Sequence, residues 1–139
     1  MTIFVLVVAL GLLGGAPTGD TLPASLKDEH NPGKRSEMAI ELADKSLDQA
    51  REYYRTGDVA RAEAELDQVG TLADECYQSA QEAHKSKYWK KAEQKIAALS
   101  RKVHSVSESL GYEQRDKAEQ LGARLDAIHD KLLAGVMSK

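Results

Sequence analysis

From Ser36 to the end of the chain, apolar residues recur at alternating intervals of three and four, and proline is absent. This spacing averages 3.5 residues per turn, so it keeps one apolar stripe on one side of an α-helix and is typical of helices that pack like coiled coils. Each stripe must be buried against a partner, so four stripes in one chain predict a helical bundle. The four stripes are Ile40, Ala43, Leu47, Ala50, Tyr54; Val59, Ala62, Leu66, Val69, Ala73, Cys76, Ala80, Ala83; Trp89, Ala92, Ile96, Leu99, Val103, Val106, Leu110; and Ala118, Leu121, Leu125, Ile128, Leu132.

Short polar breaks separate the stripes. Gly57 suits a tight reversal, Asp58 and Ser86 suit helix N-caps, and Gly111 suits a helix end. Connections this short favour antiparallel neighbours, so we expect an all-α, up-down-up-down four-helix bundle over residues 36–139. The predicted helices span residues 36–56, 58–84, 87–110 and 113–134.

The second predicted helix contains a candidate break. Gly70 is followed by Thr71 and Asp74, which together resemble a helix-start signature. The apolar stripe nevertheless passes through this point without a change of phase. We therefore predict one long second helix, with Gly70 as the place where it could bend.

The N-terminal residues carry an uncharged apolar run from Ile3 to Ala16. At about 14 residues this run is too short to cross a bilayer as a helix but suits the core of a secretory signal peptide. Small residues follow, and cleavage is expected after Gly19 or Ala24. We predict that residues 1–24 are a signal peptide and that the protein is exported to the periplasm or outside the cell. An uncleaved segment would tether it to the membrane.

Residues 25–35 lack any apolar period, and the stretch from residue 20 to residue 35 contains two of the three prolines. Proline and glycine in such a segment favour turns over regular structure. We therefore predict that residues 25–35 form a flexible tether.

The sequence offers little for catalysis or metal binding. Cys76, the single cysteine, lies on an apolar stripe, where burial raises a thiol pKa and makes it a poor nucleophile. Asp126 and His129 form the one acid-x-x-His pair, and His129 lies off the stripe. Gly-rich phosphate loops and nucleophile elbows are absent from the sequence. We predict no enzyme, no catalytic residue, no metal and no cofactor.

Basic and aromatic residues crowd together in one segment, residues 84–102. Residues 85–102 hold seven basic residues and one acid, whereas residues 58–82 hold seven acids and one base. If the two segments are neighbours in a hairpin, the acidic helix cancels much of the field that phosphates would feel, so no nucleic-acid partner is expected. The candidate contact residues on this surface are Lys85, Lys87, Tyr88, Lys90 and Lys91.

The two aromatic residues of this segment receive different interpretations. Trp89 begins the third apolar stripe, seven residues before Ile96, so it is predicted to close one end of the bundle core. Tyr88 lies off the stripe, and its hydroxyl is expected to reach water.

Residues 50–66, AREYYRTGDVARAEAEL, resemble a single tetratricopeptide-repeat hairpin. The resemblance implies a helix, a turn at Gly57-Asp58 and a second helix. The chain departs from that family because no proline ends the second helix and no second full repeat follows. The overall pattern, including IHDKLLAGVM near the end, also resembles uncharacterised exported bacterial all-helical proteins, a resemblance that implies no function.

These features favour a non-catalytic structural or protein-interaction module of the cell envelope. Its expected partner is an unknown protein or a second copy of itself, since the alanine-rich stripes of the first two helices allow close approach of a partner helix. The alternative is a protein that binds an anionic surface of lipid, polysaccharide or nucleic acid through residues 84–102.

Overall fold

The computed structural model of the protein describes residues 22–137, which form helices and short connections without a strand. The prediction of an all-helical protein with four long packed helices is confirmed, and the second long helix continues unbroken through Gly70. None of the helices among residues 22–137 combines the length and apolar character needed to cross a membrane. Residues 1–21 of the predicted signal peptide lie outside the described residues. The helices are α1 (Ala24–Lys27), α2 (Pro32–Thr56), α3 (Val59–Ala83), α4 (Ser86–Ser109) and α5 (Asp116–Met137), with a 3-10 turn at Tyr112–Gln114 before α5.

The long helices end where the local sequence favours it. Gly57 adopts the left-handed conformation after α2, with φ 86°, and the Asp58 side chain accepts a hydrogen bond from the Arg61 amide at the start of α3. His84 is also left-handed, with φ 54°, and ends α3. The N-cap of α4 is therefore Lys85, in extended backbone and without a side-chain cap, and Ser86, the predicted cap, is the first helical residue.

The helices pack as two closely joined pairs, α2 with α3 and α4 with α5. Arg35 near the start of α2 forms an ion pair with Glu82 near the end of α3, at 2.5 Å, and Ser100 of α4 donates a hydrogen bond to Asp126 of α5. All four apolar stripes contribute to one core. Each fully buried leucine or isoleucine in it contributes about 1.5–3 kcal/mol. These include Leu47, Leu66, Ile96, Leu125 and Leu132.

The structure places most of α1 and the start of α2 within residues 25–35, the segment predicted to be a tether. α2 begins at Pro32 rather than Ser36, because proline suits the first turn of a helix and the Asn31 side chain accepts a hydrogen bond from the Lys34 amide. Leu26, in α1, is 0% exposed and belongs to the core. The guanidinium of Arg35 donates to the Glu29 carbonyl at 2.9 Å. Residues 25–35 therefore pack on the bundle through an apolar anchor and a partly buried polar contact.

Candidate functional site

Three clefts lie side by side between α2 and α4. The middle cleft has a volume of about 320 Å³, the cleft at the C-terminal ends of the two helices about 470 Å³, and the cleft beside Tyr88 about 20 Å³. We call this surface the α2–α4 seam. On α2 it comprises Glu37, Ile40, Glu41, Asp44, Lys45 and Asp48, and on α4 it comprises Tyr88, Lys91, Lys95, Ala98, Leu99 and Lys102.

The seam is loosely packed because its edges are charged. α2 and α4 approach each other over far less of their length than α2 and α3 do. Beside the apolar stripe of α2 runs a second stripe of acids at spacings of four, three and four, and α4 carries lysines at spacings of four and seven. Long charged side chains reach over the surface instead of interlocking, so they leave open space between the two helices. The acids are Glu37, Glu41, Asp44 and Asp48, and the lysines are Lys91, Lys95 and Lys102.

Ion pairs bridge the seam on both sides of its middle. Lys91 Nζ lies 2.9 Å from a Glu37 carboxylate oxygen. Lys102 Nζ lies 2.5 Å from Asp44 and 3.5 Å from Asp48, and its hydrogen bond to Asp44 raises the pKa of Lys102 above its ordinary value. Partly exposed pairs of this kind contribute about 0–1 kcal/mol each. They join α2 to α4 without filling the space between the two helices.

The middle of the seam contains charges that the fold leaves unused. Glu41 and Lys95 line the same two clefts, yet within residues 22–137 neither side chain takes part in an ion pair. Beneath them lie Ile40, Ala98 and Leu99. An apolar floor with unused charges of both signs at its edges is the arrangement expected of a surface that contacts another polypeptide.

The prediction that the acids of α3 balance the lysines of α4 is wrong. The α4 lysines pair with α2, as described above, whereas acids of α3 pair with α5 and with Arg35 of α2. Examples are Asp67 with Lys117, at 2.8 Å, and Asp74 with Arg124. α4 has about as little contact with α3 as with α2, so the difference lies in the side of α4 on which Lys91 and Lys102 stand, which faces α2.

The five predicted contact residues divide into two groups. Lys91 is held by Glu37, and Lys87 Nζ lies 4.9 Å from the centre of the Tyr88 ring, in cation–π geometry. Tyr88 in turn lies against the backbone of Gly33, where an added Cβ would overlap the ring. Lys85 and Lys90 are exposed, and among the described residues neither forms an ion pair. The structure therefore places Tyr88 and Lys91 in the seam and leaves Lys85 and Lys90 facing solvent.

Trp89 is a core residue, as predicted, since it is only 9% exposed. Its ring meets Tyr77 edge to face, with centroids 6.1 Å apart and an interplanar angle of 85°. The indole also lies over Gly135 of α5, where a Cβ would overlap the ring. Trp89 therefore joins α3, α4 and α5 and offers no face for stacking on a ligand.

Two histidines outside the seam, His104 and His129, have structural partners. His129 Nε2 lies 2.8 Å from Glu93, and His104 Nε2 lies 3.0 Å from Asp126, so both histidines connect α4 to α5. The hydrogen bond from Ser100, and then that from His104, holds the pKa of Asp126 below its usual value. The part of the chain that the structure describes contains no group of three or more such side chains able to hold a metal ion.

The single cysteine, Cys76, also has a structural place in the core. Cys76 is buried on α3, and the Ser36 hydroxyl donates to its backbone carbonyl at 2.8 Å and lies 3.4 Å from Sγ. Burial raises the pKa of Cys76 to about 11, so at neutral pH the thiol stays protonated and unreactive.

The acidic stripe of α2 did not figure in the sequence prediction. Its residues lie outside the basic-aromatic segment, although the spacing of Glu37, Glu41, Asp44 and Asp48 is visible in the sequence and matches one side of a helix.

Comparison with known proteins adds no relative. No protein-family model matches the chain, and no curated protein or solved structure matches it either. The tetratricopeptide resemblance of residues 50–66 therefore stays a resemblance.

Proposed function

We propose that the protein is an exported, non-catalytic protein-interaction module of the cell envelope, and that the α2–α4 seam is its binding surface. The observation that carries the proposal is the seam itself, where two long helices leave clefts of about 320 and 470 Å³ between them. The apolar stripes of the four long helices form a closed core beneath it. A helix or loop of a partner that filled these clefts would contact the small apolar floor at Ala98 and the charged side chains around it.

The charges along the seam support a polypeptide partner over a small molecule. Glu41, Lys45 and Lys95 surround the middle cleft, so a ligand there must satisfy charges of both signs at several points. A protein surface does this with complementary side chains, and mixed charges at the edge of an interface supply specificity more than affinity.

Export and topology are part of the same proposal. The apolar run from Ile3 to Ala16 supports a signal peptide covering residues 1–24 and a periplasmic or extracellular location. The contact of Arg35 with Glu82 and the short connections between helices support an antiparallel up-down-up-down order. The left-handed turn at Gly57 supports the tetratricopeptide-like hairpin.

The alternative, an anionic-surface binder, is supported by one observation. Lys85 and Lys90 are exposed, and no acid within the described residues pairs with them. Against it, Lys91 is already neutralised by Glu37 and Tyr88 is packed on Gly33, so only part of the predicted basic-aromatic surface is open. Two free lysines contribute little affinity for phosphate at physiological salt.

Filling the middle cleft tests the proposal. Ala98 is half-buried on the cleft wall, so Ala98→Trp should place an indole in the open space and block a partner while leaving the thermal midpoint nearly unchanged. The measurement is the amount of partner that co-purifies with the protein after chemical crosslinking in its native envelope. The matched control is Ala127→Trp at an exposed position of α5.

We expect Ala98→Trp to recover at most a tenth of the partner, which corresponds to a loss of about 1.4 kcal/mol of binding free energy. The control should recover as much partner as the wild type. Equal retention by the two variants would contradict the proposal. Retention that is lost at raised salt and in Lys85→Glu/Lys90→Glu, but not in Ala98→Trp, would instead support the anionic-surface alternative.

A further inference from the structure

We propose that the partner at the α2–α4 seam is a second copy of this chain, and that the two copies meet face to face about a two-fold axis parallel to α2 and α4. The inference rests on the proposed function, because it names the occupant of the same surface. It is carried by the charge pattern of the seam.

The two edges of the seam carry opposite charges. The α2 edge carries four acids and one lysine, Lys45, and the α4 edge carries three lysines; of these charges, Glu41, Lys45 and Lys95 take no part in an ion pair within residues 22–137. A two-fold axis that runs along the helices turns the second copy over and exchanges its left and right edges, so each acidic edge faces a basic edge. An in-plane axis perpendicular to the helices would instead set acid against acid. The charge pattern is therefore self-complementary in one arrangement only, which is what an isologous interface requires.

Glu41 and Lys95 give this arrangement its register. They line the same two clefts, so they lie at the same height along the helices. The proposed rotation keeps that height, and it brings Glu41 opposite Lys95 of the partner subunit and Lys95 opposite Glu41 of the partner subunit. The same two side chains have no ion pair inside the described part of the chain, so a second copy supplies the partners that the fold lacks.

Together with the rest of the outer sides of α2 and α4, the seam is large enough for a small dimer. Helices α2 and α4 have 25 and 24 residues. At about 1.5 Å per residue and about 10 Å width each, they present a face of roughly 700 Å². A specific interface buries about 800 Å² on each partner, so the face matches a small, reversible dimer. The half-buried Ala98 near its centre permits close approach of the two copies.

Charge exchange at the two positions tests the inference in the full-length chain. Sedimentation velocity over a range of concentrations should show dimers for the wild type and monomers for Glu41→Lys and for Lys95→Glu, because each single change creates two like-charge contacts in the dimer. We expect dissociation constants raised about tenfold or more. The double variant Glu41→Lys/Lys95→Glu should dimerise again.

The decisive sample is an equimolar mixture of the two single variants. In a mixed dimer, one chain carries Glu41→Lys and the other carries Lys95→Glu, so opposite charges meet at both contacts. The mixture should therefore dimerise although neither variant does so alone. If the single variants instead failed to dimerise because of repulsion within each chain, that repulsion would persist in the mixture, and the mixture would stay monomeric.

The control for the charge exchange is Glu119→Lys, at an exposed position of α5, which should dimerise like the wild type. Residues 1–21 are identical in all samples, so any association through them would be equally strong in the wild type and in every charge variant. Circular dichroism melting of each variant shows that the chains compared are folded.

The inference would be overturned by a wild type that stays monomeric at millimolar concentration. It would also be overturned by dimers whose dissociation constant does not change with the charge substitutions. The proposed function would survive that outcome if Ala98→Trp still removed a different protein from the crosslinked sample.

Discussion

Replacing Trp89 by alanine should lower the free energy of unfolding by about 3–5 kcal/mol, the range for removal of a buried aromatic side chain. Trp89 is 9% exposed and fills the space between Tyr77 and the bare backbone of Gly135. Because glycine has no side chain that could move into that space, the cavity left by the substitution cannot collapse easily, and this end of the bundle should loosen.

Urea unfolding followed by circular dichroism measures this loss, since the variant lacks the tryptophan needed for fluorescence. Trp89→Phe should cost clearly less, because a phenyl ring retains the contact with Gly135. The neighbouring Lys90→Ala, at an exposed position, should change stability by no more than about 0.5 kcal/mol. A loss below about 1 kcal/mol for Trp89→Ala would mean that the indole is not a core residue.

The second large effect is expected at Leu26. Leu26→Ala should cost about 2 kcal/mol, near the lower end for a buried leucine, because α1 has only four residues and can detach without unfolding the four long helices. A flexible tether, as residues 25–35 were predicted to be, would show no such cost.

Lys27→Ala is the matched control for Leu26→Ala, since it lies in the same turn and is exposed. Both variants are compared by urea unfolding and by the rate of proteolysis within residues 25–35, which should rise only when the anchor is lost. Equal stability and equal proteolysis of the two variants would mean that residues 25–35 are a flexible tether, as the sequence predicts.

The sequence predicts the long helices well because the information is local. The 3–4 spacing from Ile40 to Tyr54 or from Trp89 to Leu110 determines which side of each helix is apolar, and the structure buries nearly all of those positions. Capping also acts within one turn, so Gly57 and Asp58 could be assigned in advance.

The pairing of charges could not be predicted in the same way. Residues 58–82 and 85–102 are adjacent in the chain with opposite charge, but the lysines at 91 and 102 turn toward α2, 54 and 58 positions away. Partner choice depends on how the two helix pairs rotate against each other, and the apolar stripes do not encode that rotation. The same holds for Leu26, whose burial depends on how α1 packs against the long helices.

The seam therefore emerged only from the structure, although its residues are plain in the sequence. The basic-aromatic segment, residues 84–102, contributes its α4 half, including Tyr88 and Lys91, and the acidic half lies on α2. A charged stripe beside an apolar stripe is usually a solvated helix side. It becomes a candidate interface here because an opposite stripe faces it across open clefts.

Site-specific photocrosslinking tests most directly whether the α2–α4 seam is the surface that meets a partner. A photoreactive phenylalanine analogue is placed at Ala98 in the seam or at Ala127 on α5, and the protein is irradiated in its native envelope. The account predicts a discrete crosslinked product from Ala98 and none from Ala127, with twice the mass of one chain if the partner is a second copy. No product from Ala98, or equal products from both positions, would contradict it.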